Sequence, residues 1–110
     1  GHSNALQVLV KAKADVNRAR SNNGATPAIA SVQGGSIEVL DILIDAGADL
    51  TIAKTTDSAT PAHIAAQLGH VDSIVRLILA KADVNAKMAG AATPAFVAAQ
   101  QGHGKVLGAL

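Results

Sequence analysis

The chain has 110 residues, of which 49% are apolar, with one aromatic residue (Phe96) and no Trp, Tyr or Cys. That composition excludes a disulfide framework, thiol catalysis and a single-centred core filled by large aromatic rings, and points to a thin aliphatic core spread along a layered object. A formal net charge of +1 gives no global field toward nucleic acid or anionic membrane, and no apolar run approaches the ~18 residues of a membrane span. The absence of cysteine, of a signal segment and of a transmembrane segment favours the cytoplasm.

The chain opens on Gly1-His2, followed by an apolar set at Leu6, Leu9 and Val10 and by Asp15-Val16-Asn17. The apolar spacing predicts a helix with one buried face. Lys11, Lys13, Arg18 and Arg20 cluster where this segment passes into the next. Thr26-Pro27-Ala28 then starts a new helix, because Thr is a good N-cap and Pro suits the first helical position. Gly35 ends it, and a second helix carries Leu40, Leu43 and Ile44 toward Asp49-Leu50-Thr51. The same order returns from Thr60-Pro61. A short helix runs to Gly69-His70, a second spans about residues 71–80 with Ile74, Leu77 and Ile78 on one face, and Asp83-Val84-Asn85 opens a polar stretch to Ala92. Thr93-Pro94 begins the last round, with Gly102-His103 and then Val106, Leu107 and Leu110.

The Thr-Pro-Ala triplets recur at steps of 34 and 33 residues, and two rounds carry one extra residue before Thr-Pro. No predicted helix reaches the ~12–15 residues that an isolated helix needs in water, so each must lean on its neighbours. Ala30, Ala65, Ala66, Ala98 and Ala99 thin one side of the first helices for close approach. The chain is expected to be one repeat domain over 1–110. It divides into a partial repeat 1–17, whole repeats 18–51 and 52–85, and a partial repeat 86–110.

Together the Thr-Pro starts, the Gly-His turns and the Ala-Asp-Val-Asn endings resemble the ankyrin repeat family across the whole chain. Departures are Ala28, Ala62 and Ala95 where the motif has Leu, and Ile29 and Phe96 where it has the His kept at His63. The resemblance implies an all-α solenoid of stacked helix-turn-helix units joined by β-hairpin-like loops, with His63 a structural hydrogen-bonding residue. It implies a protein-interaction module or scaffold without catalysis, whose partner is another protein and which takes no cofactor, nucleic acid or membrane. The alternative is a targeting or inhibitory segment of a larger enzyme or effector.

The family's binding surface, the loop tips and the concave side of the first helices, falls here on Asn22, Asn23 and Gln33, then Thr56, Asp57, Gln67 and Leu68, then Gln100 and Gln101. Ala25, Ala59, Ala89, Gly90 and Ala92 share those places. In the third round a stripe of Val71, Val75 and Leu79 stands where the second has Ile37, Asp41 and Asp45, and Arg76 replaces an aliphatic residue. The stripe is expected either to repack locally or to form a second contact.

No residues assemble a catalytic or metal site. The histidines recur once per round without close-spaced partners, and Ser58 with His63 lacks an orienting third residue. Gly34-Gly35 and Asn23-Gly24 fit turns better than phosphate loops. The basic cluster lacks stacking aromatics and is broken by Asp15. Uncovered aliphatic residues at the two ends, Leu6, Leu9, Val106, Leu107 and Leu110, are expected to be covered either by end-to-end self-association or by residues absent from this sequence.

Overall fold

The computed structural model describes residues 17–19 and 21–110. The expected partial repeat 1–17, with His2, the apolar face of Leu6, Leu9 and Val10, and Lys11 and Lys13, lies outside the described residues apart from Asn17, and so does Arg20. Helices α1 (Pro27–Gln33) and α2 (Ile37–Asp45) form one pair, α3 (Pro61–Leu68) and α4 (Val71–Leu79) the next, and α5 (Pro94–Gln100) and α6 (Gly104–Ala109) the third. No strand occurs among the described residues.

Each pair starts and turns by the same devices. Thr26, Thr60 and Thr93 hold the extended N-cap conformation ahead of a first-turn Pro. The hydroxyls of Thr26 and Thr93 accept hydrogen bonds from the N–H groups of Ile29 and Phe96, at 3.4 and 3.2 Å. Between the helices of a pair, Gly35, Gly69 and Gly102 adopt φ of 69°, 74° and 75°. The following residue then donates its N–H back five positions: Ser36 to Ser31, His70 to Ala65, His103 to Ala98. These bonds satisfy carbonyls that a helix end leaves orphaned.

First helices stack on first helices and second on second, α1–α3–α5 and α2–α4–α6, with each first helix also packed on its own partner. The core runs along the seam between the layers through Ile29, Val32, Leu40, Leu43, Ala65, Ala66, Ile74, Leu77, Ala98 and Val106, all fully buried. Each large aliphatic side chain so buried contributes ~1.5–3 kcal/mol, which is what holds together helices of six to nine residues.

Two expected burials come out differently. Ala65, Ala66 and Ala98 are buried as close-approach positions, but Ala30 is half-buried, and Ala99, on α5 with no described helix stacked beyond it, is exposed. Ile78 was expected on the buried face with Ile74 and Leu77, yet it is 37% exposed. At the matching place one repeat earlier, beside the nine-residue α4, Ile44 is half-buried.

The loops are hairpin-like in closure without forming a ladder. Lys54 donates its N–H to Ala59 (2.9 Å) across one loop, and Met88 donates to Ala92 (2.9 Å) across the next. The extra residue of the earlier loop is taken up at the tip, where Ser58 N–H reaches back four residues to Lys54 while Ala91 N–H reaches back three to Met88. Gly24, Ser58 and Ala91, at matching places, all adopt positive φ (74°, 61° and 62°).

Candidate protein-binding surface

The loop tips form a continuous row because their backbones are bonded to one another. Thr55 N–H donates to the Asn23 carbonyl at 2.9 Å, and one repeat on, Ala89 N–H donates to the Asp57 carbonyl at 2.8 Å. Gly24 permits the first approach: a Cβ there would stand 2.7 Å from the Thr55 nitrogen.

Within the row the anticipated binding residues divide into two kinds. Asn23 and Asp57 are half-buried, and their Oδ1 atoms accept the N–H groups of Ala25 (2.9 Å) and Ala59 (3.0 Å). These bonds lock the chain's entry into the helix, as short polar side chains do in turns. Asn22 and Thr56, one residue earlier, are exposed and project from the tips. Ala25 and Ala59 are not surface residues at all. They are only 2% and 1% exposed because each lies just before a Thr cap that is itself in the core, and Ala92 is half-buried.

At the other end of the first helices, Gln33, Gln67, Gln100 and Gln101 are exposed, and Leu68 is 44% exposed. These residues lie about 10 Å along the helix axis from the Thr caps, at ~1.5 Å per residue. The structure thus aligns the tips in one row and the glutamines in another, connected by α1, α3 and α5.

His63 is a structural residue. It is 1% exposed, its Nδ1 receives the Thr60 N–H at 3.2 Å and lies 2.8 Å from the Thr60 hydroxyl, and its Nε2 stands 2.9 Å from the Ala92 carbonyl. Since Nδ1 accepts a backbone N–H, the proton sits on Nε2 and is donated to Ala92. Both ring nitrogens are engaged, which leaves none to serve Ser58 as a base. His70 and His103 have another common role, visible only in three dimensions. Nδ1 of His70 donates to the Val32 carbonyl (2.9 Å) and Nε2 of His103 to the Gln67 carbonyl (3.0 Å), each tying a second helix to the first helix of the unit before. Neither His caps its own helix by its side chain, whereas Ser36, in the matching place, caps α2 through Val39 N–H at 3.3 Å.

Among the described residues no group of His, Cys, Asp or Glu could hold a metal ion, and no helix is long and apolar enough to cross a membrane. A shallow cleft of about 510 Å³ lies over the start of α4, between Gly35, Gly69, His70, Ser73 and Lys105, and of the anticipated contact residues it takes in only Val71. Asp49 is exposed, and the Thr51 hydroxyl (2.5 Å) with the Thr51 N–H (2.9 Å) holds its carboxyl below the ordinary carboxylate value. Its own N–H receives support from Asn17 Oδ1 at 2.7 Å.

Sequence reasoning missed Phe96. It occupies the place of the buried Ile29 and His63 yet is 57% exposed, and on the same end of the stack Leu107 is 40% exposed. Val106, expected to be uncovered, is fully buried against the core. Being the only aromatic residue was the one sequence signal that Phe96 carried.

Stacked helix pairs, capped by Thr-Pro and turned on left-handed glycines, define a helical repeat solenoid. Residues 57–89 match the ankyrin repeat family model. The neighbouring units repeat the caps, turns and loop closures of that span. No curated protein matches it. Ankyrin repeats generally mediate protein–protein interaction and are typically non-catalytic.

Proposed function

We propose that this chain is a non-catalytic interaction module that takes a partner protein along the loop-tip row and the exposed ends of the first helices. Asn22, Thr56, Gln33, Gln67, Leu68, Gln100 and Gln101 make the contacts, and Asn23 and Asp57 hold the tips in shape. The supporting observation is the tip-to-tip bonding of Asn23 with Thr55 and of Asp57 with Ala89, which fixes the row before any partner arrives. A preformed row lowers the ordering entropy that binding costs. With no Trp or Tyr in the chain and no Arg on α1, α3 or α5, affinity comes from many modest polar contacts spread over successive units. On this reading the repeats run 18–51 and 52–85 between partial units 1–17 and 86–110.

A photo-reactive amino acid placed in turn at Thr56, Gln67 and Asp45, in the complete protein within its own cells, tests the assignment. Adducts to one common protein from Thr56 and Gln67, and none to it from Asp45, are expected. A common adduct from Asp45 alone contradicts it.

A further inference from the structure

The outward faces of α2, α4 and α6 follow one register but carry different chemistry. Glu38, Asp41 and Asp45 are spaced i, i+3, i+7 along α2, a single acidic row on a helix face. One repeat on, the same positions of α4 hold Asp72, Val75 and Leu79, and Ile78 lies beside them. Val75 and Ile78 are each 37% exposed and Leu79 71%. On α6 the places matching Val71 and Val75 are Gly104 and Gly108, both exposed and with no atom within 4 Å of where a Cβ would stand. An acidic row and an aliphatic ridge therefore lie side by side, and beyond them α6 presents Gly104 and Gly108 with the exposed Lys105 between them. Arg76 joins the first two, its Nε 3.1 Å from Asp41 Oδ1, with both side chains more than 40% exposed. A surface pair of that kind adds little to stability and is open to exchange of partners.

We propose that this outward face is a second docking site, separate from the loop-tip row, for an amphipathic helix of a partner protein that has an aliphatic row flanked by Lys or Arg. The aliphatic row lies against Val75, Ile78 and Leu79 with Gly104 and Gly108 giving it room, and the basic flank lies along Glu38, Asp41 and Asp45. The charge pattern selects this occupant. An acidic row at the edge of the ridge repels anionic lipid headgroups and acidic helices, and attracts a basic flank at the spacing of one helix turn. The asymmetry, acid on one side of the ridge and Gly104, Lys105 and Gly108 on the other, also fixes the orientation of the bound helix.

A displayed library of helix-forming peptides, selected on the protein and counter-selected on its Leu79→Asp variant, tests this. Leu79 is mostly exposed, so that variant keeps its fold, and an unchanged circular dichroism melt verifies it. The expected winners carry an aliphatic row at i, i+3 or i+4, and i+7 with Lys or Arg on one flank. Their affinity falls at least tenfold for Leu79→Asp and for Asp45→Lys, weakens with added salt, and is unchanged by Thr56→Ala and Gln67→Ala. Winners that are acidic or Pro-rich, or that bind Leu79→Asp equally well, overturn the proposal. So do binding to anionic vesicles that Leu79→Asp abolishes, and self-association that the same variant abolishes when no peptide binds.

Discussion

The unit built on α3 and α4 and the unit built on α5 and α6 share one backbone plan and hold it with different residues. His63 locks its unit to the loop that follows, through Ala92, while Phe96 in the same place is open to solvent. The comparison separates what the repeat geometry demands from what a neighbour supplies. A position can be buried, polar and structural in one unit and exposed and apolar in the next, because its environment is set by the unit stacked beyond it. Single substitutions at matched positions put numbers on that difference.

The largest effect is expected at His63. His63→Ala removes a cap bond and an inter-unit bond and leaves a cavity, lowering stability by about 2–4 kcal/mol. Phe96→Ala changes it by less than ~0.5 kcal/mol. Urea denaturation with an unchanged m-value measures both, and equal losses at the two sites would break the comparison.

The turn glycines come next. Gly69 has φ of 74°, and a Cβ there would stand 2.8 Å from the His103 ring, whereas Gly102 has φ of 75° and open space. Gly69→Ala should cost about 2 kcal/mol and Gly102→Ala about 1 kcal/mol, the difference being the displacement of His103 from its bond to Gln67. Removing the ring in His103→Ala should bring the two glycine penalties together.

A smaller gain is expected after α4. Lys81 holds φ of 62° at the place where Gly47, at 87°, ends α2. Lys81→Gly should raise stability by ~1 kcal/mol and Gly47→Lys should lower it by a similar amount. Thermal melts of both variants, read against the parent, sharpen the comparison of the two helix ends.

The smallest effect is on acidity. The Asp49 carboxyl is held below its ordinary value in the folded chain, mainly by the Thr51 hydroxyl, so it stabilises the fold at pH above the ordinary carboxylate range. That contribution fades as pH falls through the lowered folded value. The melting-temperature gap between the parent and Thr51→Val, small at neutral pH, should close on acidification. A gap that widens contradicts the sign.

The order of helices, the caps at Thr26, Thr60 and Thr93 and the left-handed turns were legible because each depends on residues within six positions of one another. The structural role of His63 was legible through the family resemblance. What was not legible depends on contacts between units. The carbonyl partners of His70 and His103 lie 38 and 36 residues away, and no local spacing indicates them. Whether Ile78 and Ala99 are covered depends on the helix beyond, and so their exposure could not be read from a periodicity shared with buried Ile74 and Ala98. At the candidate surface, the split between Asn22 and Asn23, or Thr56 and Asp57, came from single hydrogen bonds that a list of loop-tip residues does not contain.

Under the proposed function, the loop-tip row and the ends of the first helices receive the partner. Amide hydrogen exchange on the complete protein, with and without the partner captured by cross-linking, tests it most directly. Added protection is expected at residues 21–24, 55–58 and 89–91, and at the ends of α1, α3 and α5, with the outward face of α2 unchanged by that partner. Protection confined to α2 and α4, with the loop tips exchanging as fast as before, would contradict it.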